Sequence, residues 1–333
     1  MELIYPSYYK DFACIAGDCP DSCCHEWEVQ VDAASAARYR AMEGELGDAL
    51  REALYDEEGE TYLRNVGDRC PMWREDGLCR IQGALGHDAL CQVCQQFPRL
   101  RQDYGDFVEL GLEMSCPEAA GIMLNSTGWT LISEEKPGGE PGDYDGELMD
   151  LLRETRTFAL EMLADESVPV NLRLARLLLY GHHVQAQIDG GEVFDFDPDQ
   201  TEQLLAQCAG QGDFELLREF YQGLEILTER WSDRLAGAGE EPAWDEKLCK
   251  LAVYQVYRYW YQAVSDWDLA ARVKLMAAGC VLLARIPGDM AGSIQLYAKE
   301  IENDAANVDA ILDGAFTDRA LTDVNLLALL CSG

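Results

Sequence analysis

The sequence predicts a mainly α-helical protein with a cysteine-rich, metal-bound N-terminal domain that contains a few short strands. Nine of its 13 cysteines lie within the first 116 of 333 residues. The segment EEKPGGEPGDYDG, Glu134–Gly146, is rich in proline, glycine and acidic residues and is typical of a linker. Beyond it, apolar residues recur at helical spacing almost to the C-terminus. We therefore expect a cysteine-rich domain at residues 1–133 and an irregular helical bundle at residues 147–333.

The predicted first domain consists of short segments interrupted by turns. Asp32 is expected to cap a helix over Ala33–Met42, because its carboxylate can accept hydrogen bonds from the backbone N–H groups of the first turn. In EDGLCRIQ we expect a turn at Asp76-Gly77 and then a short extended piece. The segment DFVELGLEMSC has alternating, β-branched character and predicts a further strand. Short elements of this kind are typical of a domain in which a metal replaces part of the apolar core.

The predicted second domain is a series of helices. In ELMDLLRETRTFALEML, residues 147–163, apolar side chains recur every three or four residues. Similar stretches follow at 171–188, 199–209, 213–236, 245–264, 267–286, 292–302, 304–314 and 318–331. Pro242, Pro287 and several glycines supply breaks between them. No fixed repeat length is visible in the sequence, so we expect an irregular bundle rather than a solenoid.

An aromatic run, YQVYRYWYQ, occupies Tyr254–Gln262 in this half of the chain. Helical spacing places Tyr254, Tyr257 and Tyr261 on one face, with Trp260 beside them. Such a stripe could line a pocket for a methylated or cationic lysine through cation–π attraction. Aromatic stripes more often belong to the apolar core, and this is the interpretation that we favour.

The composition is strongly acidic, which limits the possible partners. The formal net charge is −35, from 61 acidic and 26 basic residues. This charge repels nucleic-acid phosphates, so we expect no DNA or RNA binding. A basic partner, or a substrate that offers lysine, would be attracted, although acidity alone can also serve solubility.

The chain is expected to be cytoplasmic, without a membrane segment. Its N-terminus, MELIYPSYYKDF, lacks the basic region and apolar run of a secretion signal. The longest apolar stretch, Leu275–Ala284, is about half as long as the roughly 20 residues that span a bilayer. Disulfides are rare in a reducing cytoplasm, and an odd total of 13 cysteines argues against a complete disulfide framework. Clustered thiols in that compartment more often bind a metal or act in catalysis.

The cysteines favour a soft metal centre. Thiolates prefer zinc or iron–sulfur to calcium or magnesium, and four of them complete a tetrahedral zinc site or a cubane cluster. Eight or nine cysteines could supply one such site with spares, or two sites. Adjacent Cys23 and Cys24 point in different directions in most backbone conformations, so both need not bind one ion. The two-residue gap between Cys91 and Cys94 suits a shared metal; it also suits a redox pair, which we disfavour because no βαβ pattern surrounds it.

Two familiar cysteine patterns do not fit the spacing. A radical-type cluster motif would need a third cysteine where the sequence has Glu26. A zinc ribbon needs two close pairs, and only Cys91 and Cys94 have the required gap. His25 directly follows the first cysteine group and is a possible ligand, but isolated histidines are usually surface or hydrogen-bonded core groups.

Three segments in the same order resemble the flagellin lysine-N-methylase family. They are FACIAGDCPDSCCHEW, CPMWREDGLCRIQGALGHDALCQVCQQFPR and ELGLEMSCPEAA, and the resemblance covers roughly residues 1–125. It implies methyl transfer from S-adenosylmethionine to lysine side chains of flagellin. It also implies an iron–sulfur cluster of the 4Fe-4S type, held by N-terminal cysteines. The positions carried over by motif are Cys14, Cys19, Cys23, Cys24, Cys70, Cys79, Cys94 and Cys116.

The resemblance leaves several points open. Cys91 departs from the family pattern, which has a small hydroxyl residue there, and is expected to be a spare. Related cysteine-rich proteins that chelate zinc or iron give an alternative function, a non-catalytic structural or interaction module. The sequence has no GxGxG loop after a strand, so S-adenosylmethionine binding rests on the resemblance alone. A lysine amine must be neutral to attack a methyl sulfonium, so a base is required. Glu26, Glu113 and Glu118 are candidate bases, although we favour the interpretation that they are ordinary solvated carboxylates.

Overall fold

The structure, a computed structural model, describes residues 1–27, 29–128, 130–191 and 196–331. Positions 28, 129, 192–195, 332 and 333, which fall in the two predicted domain ranges, lie outside the described residues. The described chain is mainly α-helical, as the sequence predicts. The metal-bound character of the N-terminal region stays a prediction.

Two β-sheets are present in the described part of the chain. The strands are β1 (Glu2–Pro6), β2 (Val29–Gln30), β3 (Leu54–Glu57), β4 (Glu60–Leu63), β5 (Arg99–Asp103), β6 (Phe107–Leu112) and β7 (Leu131–Glu135). The larger sheet has the order β5-β6-β1-β7; β1 runs parallel to β6 and antiparallel to β7, so that Leu3 faces Val108 and Glu134. The smaller sheet, β2-β4-β3, is antiparallel. The strand predicted in DFVELGLEMSC is confirmed as β6.

The helices occupy most of the chain after β7. They are α1 (Ala33–Ala41), α2 (Gly44–Ala53), α3 (Arg80–Leu85), α4 (Gln92–Gln96), α5 (Pro117–Asn125), α6 (Gly146–Ala164), α7 (Val170–Ile188), α8 (Pro198–Cys208), α9 (Phe214–Gln222), α10 (Glu229–Gly237), α11 (Glu246–Tyr259), α12 (Ala263–Asp266), α13 (Ala270–Leu283), α14 (Met290–Tyr297), α15 (Ala305–Thr317) and α16 (Asp323–Cys331). Short 3₁₀ helices cover Ser7–Asp11, Ala16–Asp18, His87–Ala89, Trp260–Gln262 and Arg319–Leu321, and a π-helical turn covers Ala298–Glu302. Among the described residues, no helix combines the length and apolar character needed to cross a bilayer.

Local signals in the first domain range lie where the sequence predicts them. The Asp32 carboxylate accepts a hydrogen bond of 2.9 Å from the backbone N–H of Ser35 and caps α1. At the predicted turn, Gly77 has a φ of 77°, a left-handed conformation that glycine adopts without strain. The short extended piece expected after the turn is limited to an isolated bridge between Trp73 and Cys79; the prediction is wrong from Arg80 onward, where helix α3 begins.

The predicted helical stretch 213–236 is two helices, α9 and α10. Thr228 caps α10, and its hydroxyl donates a 2.5 Å hydrogen bond to the buried carboxylate of Glu300. Asn307 fixes the same connection, because its side chain bonds both the N–H and the C=O of Glu225. These partners lie more than 70 residues away in sequence, so helical periodicity alone could not reveal the break.

The buried apolar residues form two clusters. The first contains Phe107 and Leu112 of β6 together with Leu152 of α6 and most of the later helices. The second contains Tyr39 of α1, Leu50 of α2 and Leu63 of β4, among other residues of the 29–91 region. The larger sheet thus shares its core with the helices across the predicted linker, while α1 to α4 and the smaller sheet have a core of their own. The division into domains at 134–146 stays a prediction.

The aromatic run on α11 lies in the core, the interpretation that we favour. Tyr254, Tyr257 and Tyr261 are each about 5% exposed. Tyr257 and Tyr261 meet an internal cation: the Arg156 guanidinium lies 3.4 Å from the centre of the Tyr261 ring and makes a bidentate ion pair with buried Glu109. The stripe is therefore part of the core, and Tyr254 also lines a cavity beside α11.

Candidate functional site

Nine thiols from four chain segments lie in one region of the structure. They come from the loop after β1, the loop that follows β4, helix α4 with its flanks, and the start of α5. Backbone hydrogen bonds fix this arrangement: the Cys70 N–H donates to the Cys24 carbonyl at 2.8 Å, and Cys79 pairs with Trp73. The sequence-predicted site residues are therefore brought into one region by non-local contacts.

Four of these thiols form what we call the terminal set. Its members are Cys14, Cys19, Cys23 and Cys116. Cys14 and Cys23 are exposed, Cys19 is half-buried, and Cys116 is buried at the N-cap of α5. Cys116 is close enough to Cys14 and Cys19 for their charges to act on its ionisation. Burial raises the pKa of the Cys116 thiol to about 11, although backbone N–H groups in the first turn of α5 act in the opposite direction.

The other five thiols form what we call the core set. Its members are Cys24, Cys70, Cys79, Cys91 and Cys94, and all of them belong to or pack against the second apolar cluster. Burial raises the pKa of Cys70 to about 12. A thiol–thiol hydrogen bond lowers the pKa of Cys91 and raises that of Cys94, because one member of the pair keeps the shared proton.

The donor chemistry of both sets suits zinc or iron–sulfur, but the thiols are not arranged as closed metal sites. Soft thiolates are the ligands that both centres prefer. Within the described ranges, no three His, Cys, Asp or Glu side chains are placed so as to hold one metal ion. Metal binding would therefore require thiols within a set to turn toward a common point. The assignment of the eight predicted ligands, and of Cys91 as a spare, stays a prediction; Cys91 is 1% exposed beside Cys94.

Histidines contribute little to the thiol sets. His25 packs edge-on against Trp73 with ring centres 5.0 Å apart, and its Nε2 atom is buried without a hydrogen-bond partner. His182 lies far from the cysteines in sequence and pairs with Asp323 on α16 at 2.8 Å. Of these two histidines, only His25 has a ring nitrogen near the thiols that is available to bind a ligand.

An ion-pair network that the sequence did not indicate anchors the first cysteine loop. Lys299, on the π-helical turn, lies 2.9 Å from Asp21 and 2.6 Å from Glu26, and its side chain is 2% exposed. Gln295 donates to the Asp21 carboxylate and to the Ser115 carbonyl, at 2.9 and 2.7 Å. Burial acts to raise the pKa of Asp21, but the Lys299 ammonium outweighs it and the pKa is lowered. The loop between Cys19 and Cys23 is thus held against the helical part of the chain.

The three candidate bases differ in their surroundings. Glu26 is tied to Lys299 and faces Arg230 at 3.7 Å, so its carboxylate is held in an ion-pair network. Glu118 lies in the first turn of α5. Glu113 is half-buried just after β6 and accepts a 3.3 Å hydrogen bond from the Ser115 hydroxyl. Burial raises the pKa of Glu113, which makes its carboxylate the more basic acceptor for a proton.

Two cavities lie close to these residues. One, of about 130 Å³, is lined by apolar side chains including Tyr8, Met114 and Met123, with Lys250 at its edge. The other, of about 280 Å³, lies beside Cys19, His25 and Trp73. The first cavity lies between Met123 of α5 and the side chains of Cys249, Lys250 and Tyr254 on α11, and its lining includes none of the nine N-terminal thiols. The second cavity is lined in part by Cys19 and therefore adjoins the thiol region.

Comparisons with known proteins point to one group of relatives. The chain is 30% identical to the flagellar biosynthetic protein FliU of Salmonella muenchen over 142 residues, which are 39% of this chain and 82% of that protein. It is 31% identical to a lysine-N-methylase of Salmonella choleraesuis and 30% identical to a lysine-N-methylase of Salmonella typhimurium, each over 140 residues. The match spans 34% of the length of either methylase. No family model and no solved structure matches the chain.

Proposed function

Because the chain belongs to the family of the flagellar biosynthetic protein FliU and the lysine-N-methylases, we propose that it is a methyltransferase acting on lysine side chains of flagellin. The observation that carries this proposal is the similarity to two proteins named for lysine N-methylation and to one named for flagellar biosynthesis. The methyl donor is S-adenosylmethionine. An acidic chain with a net charge of −35 suits a substrate that presents lysine.

The reaction requires a neutral amine and an acceptor for its proton. The lysine nitrogen attacks the methyl carbon of the sulfonium donor, a nitrogen–carbon bond forms, and the carbon–sulfur bond breaks with its electron pair moving to sulfur. An ammonium has no lone pair for this attack, so a proton must first leave. Glu113 accepts that proton in our proposal, because burial gives it a raised pKa and Glu26 is already held by Lys299. Negative charge near the site also attracts the incoming ammonium.

A thiolate-bound metal centre, a 4Fe-4S cluster or zinc, is part of the proposal. When bound, such a centre supplies folding free energy by crosslinking segments distant in sequence. The chain's own contribution is the gathering of soft ligands from the loop after β1 and from the region around α3 and α4.

Mass spectrometry of flagellin tests the proposed activity. Flagellin is isolated from cells of a flagellated host that lacks its own lysine methylase, with and without the full chain, and lysine-containing peptides are compared. We expect added methyl groups on lysines only when the chain is present. Purified chain incubated with flagellin and S-adenosylmethionine gives the same products in vitro. Unmodified lysines in both experiments would reject the methylase and favour a non-catalytic metal-binding module.

A further inference from the structure

We infer that the cavity between α5 and α11, which we call the α5–α11 cavity, receives the side chain of a substrate lysine. It has a volume of about 130 Å³ and lies between Met123 of α5, the end of α6 at Leu163 and Tyr254 of α11. This inference rests on the proposed function for the identity of the group that enters. The size, walls and rim of the cavity are independent of that function.

The volume of the cavity suits one long side chain. A single water molecule needs only about 10–15 Å³ of such space, and drug-sized ligands fill pockets of about 300–1,000 Å³. The α5–α11 cavity lies between these limits. It can therefore enclose a flexible chain of a few heavy atoms, but it is too small to enclose a whole molecule of S-adenosylmethionine.

The inner wall of the cavity is apolar. Met114, Met123 and Leu163 line it and are buried, as are the rings of Tyr8 and Tyr254. Methionine side chains and aromatic rings adapt well to the methylene stem of a lysine. An apolar wall also disfavours charge, so it lowers the pKa of an amine held there and favours the neutral form that methyl transfer requires.

The rim of the cavity is polar and reaches solvent, because Ala164 and Glu166 are exposed there. A cation also lies at the rim, but the Lys250 Nζ atom donates to the carbonyl oxygens of Leu124 and Ser126 at 2.7 and 3.0 Å, at the C-terminal end of α5. The charge of Lys250 thus satisfies a helix end. Glu166 places a negative charge at the entrance, which attracts an incoming ammonium.

A second rim carboxylate, Glu246, is already paired. Its two oxygens lie 2.7 and 2.5 Å from the guanidinium of buried Arg173 on α7. A carboxylate held by two charge-assisted hydrogen bonds has less capacity left for another cation. We therefore assign the attraction of the ammonium to Glu166 rather than to Glu246.

The cavity borders the proposed proton acceptor. Glu113 directly precedes Met114 of the inner wall. Arg258 links the two regions, because it donates a 2.6 Å hydrogen bond to the Tyr254 hydroxyl and its charge acts on Glu113. Glu113 is thus next to the wall that an entering lysine amine would reach.

Binding of two matched probes tests the cavity without turnover. The full chain is titrated with N-acetyl-lysine amide and with N-acetyl-norleucine amide, which has the same four-carbon stem but no amine, and saturation-transfer NMR measures both affinities. Ala164→Trp fills the mouth of the cavity. Ala310→Trp is the matched control, because Ala310 is exposed on α15 and does not line the cavity. We expect the lysine probe to bind the natural chain and Ala310→Trp, with roughly tenfold or more lost in Ala164→Trp because the indole occupies the space of the stem.

Glu166→Gln tests the entrance charge at an exposed position where folding is little affected. It should weaken binding of the lysine probe by about two- to fivefold and leave the norleucine probe unchanged, as expected for an exposed charge. Circular dichroism confirms that each variant is folded. Three results would overturn the inference: no binding of the lysine probe to the natural chain, equal or tighter binding of the norleucine probe, or unaltered binding of the lysine probe to folded Ala164→Trp.

The flagellin assay separates this inference from the proposed function. In the presence of S-adenosylmethionine, Ala164→Trp should lower kcat/KM for flagellin by at least as much as it weakens the lysine probe, whereas Ala310→Trp should not. If the natural chain methylates flagellin and Ala164→Trp is equally active, the cavity is not the lysine site and the methylase stands. If the natural chain binds the lysine probe in the cavity but leaves flagellin unmodified, the methylase is rejected and the lysine pocket stands.

Discussion

The Nζ atom of Lys299 lies 2.9 Å from Asp21 Oδ1, and this buried ion pair joins the first cysteine loop to the π-helical turn after α14. The two side chains are 2% and 8% exposed, so water screens their interaction only weakly. Glu26 shares the same ammonium at 2.6 Å. The position of the loop that carries Cys19, Cys23 and Cys24 therefore depends on a residue nearly 280 positions away.

Replacement of Lys299 by Met should destabilise the protein and loosen this loop. The change leaves two carboxylates without their buried partner, which costs about 3–5 kcal/mol for a broken buried pair. Urea denaturation followed by circular dichroism measures the change in the free energy of unfolding. Lys10→Met is the matched control, because Lys10 pairs with Glu134 at an exposed position and should matter little. Equal unfolding curves for the two variants would show that the Lys299 pair does not hold the loop.

The cap at Asp32 should make stability depend on pH in the acidic range. Backbone N–H groups of Gln92 and Ser35 donate to its carboxylate and lower its pKa to about 2, below the ordinary 3.8. A carboxylate with a lowered pKa stabilises the folded state above the unfolded-state pKa. That stabilisation is lost as the pH falls from about 4 to about 2.

Asp32→Ala isolates this contribution. We expect a loss of about 1 kcal/mol near neutral pH, which is typical for removal of an N-cap. The difference between the variant and the natural chain should shrink as the pH falls below about 4, because the natural carboxylate becomes protonated. Urea denaturation at several pH values measures this difference in the free energy of unfolding. A difference that stays constant down to the lowest pH would contradict the ionic origin of the cap.

Local sequence signals predict several elements correctly. The features that the sequence does not reveal depend on contacts between residues distant in sequence. The contact of Asp32 with Ser35 and the Asp76-Gly77 turn involve neighbours within four residues, so their patterns are visible in the sequence. The second contact of Asp32, from the backbone N–H of Gln92, is 60 residues away and is not. The break before α10 depends on Glu300, and the loop anchor depends on Lys299, both distant in sequence. The cysteine spacing identified the thiol region, but only packing separates Cys116 from the core set.

Replacement of Cys94 by Ser should remove metal and destabilise the region around α1 to α4. Metal binding is coupled to folding in small thiolate domains, and Cys94 packs against the second apolar cluster. Hydrogen exchange followed by mass spectrometry should show faster exchange in residues 29–94 than in the later helices. Cys280→Ser, fully buried in α13, controls for the loss of a buried thiol and should keep its metal. Full metal content in Cys94→Ser would remove Cys94 from the ligand set.

Glu113→Gln should lower the rate of lysine methylation while leaving flagellin binding intact. A positioned general base typically contributes 10²–10⁴-fold, so we expect kcat to fall by roughly that factor with little change in KM. Burial raises the pKa of Glu113, and a carboxylate accepts a proton only above its pKa, so the natural activity should fall as the pH drops through that value. Glu118→Gln, five residues along on α5, is the control and should keep most of its activity. If the two variants lost activity equally, or if the pH profile of Glu113→Gln matched that of the natural chain, Glu113 would not be the proton acceptor.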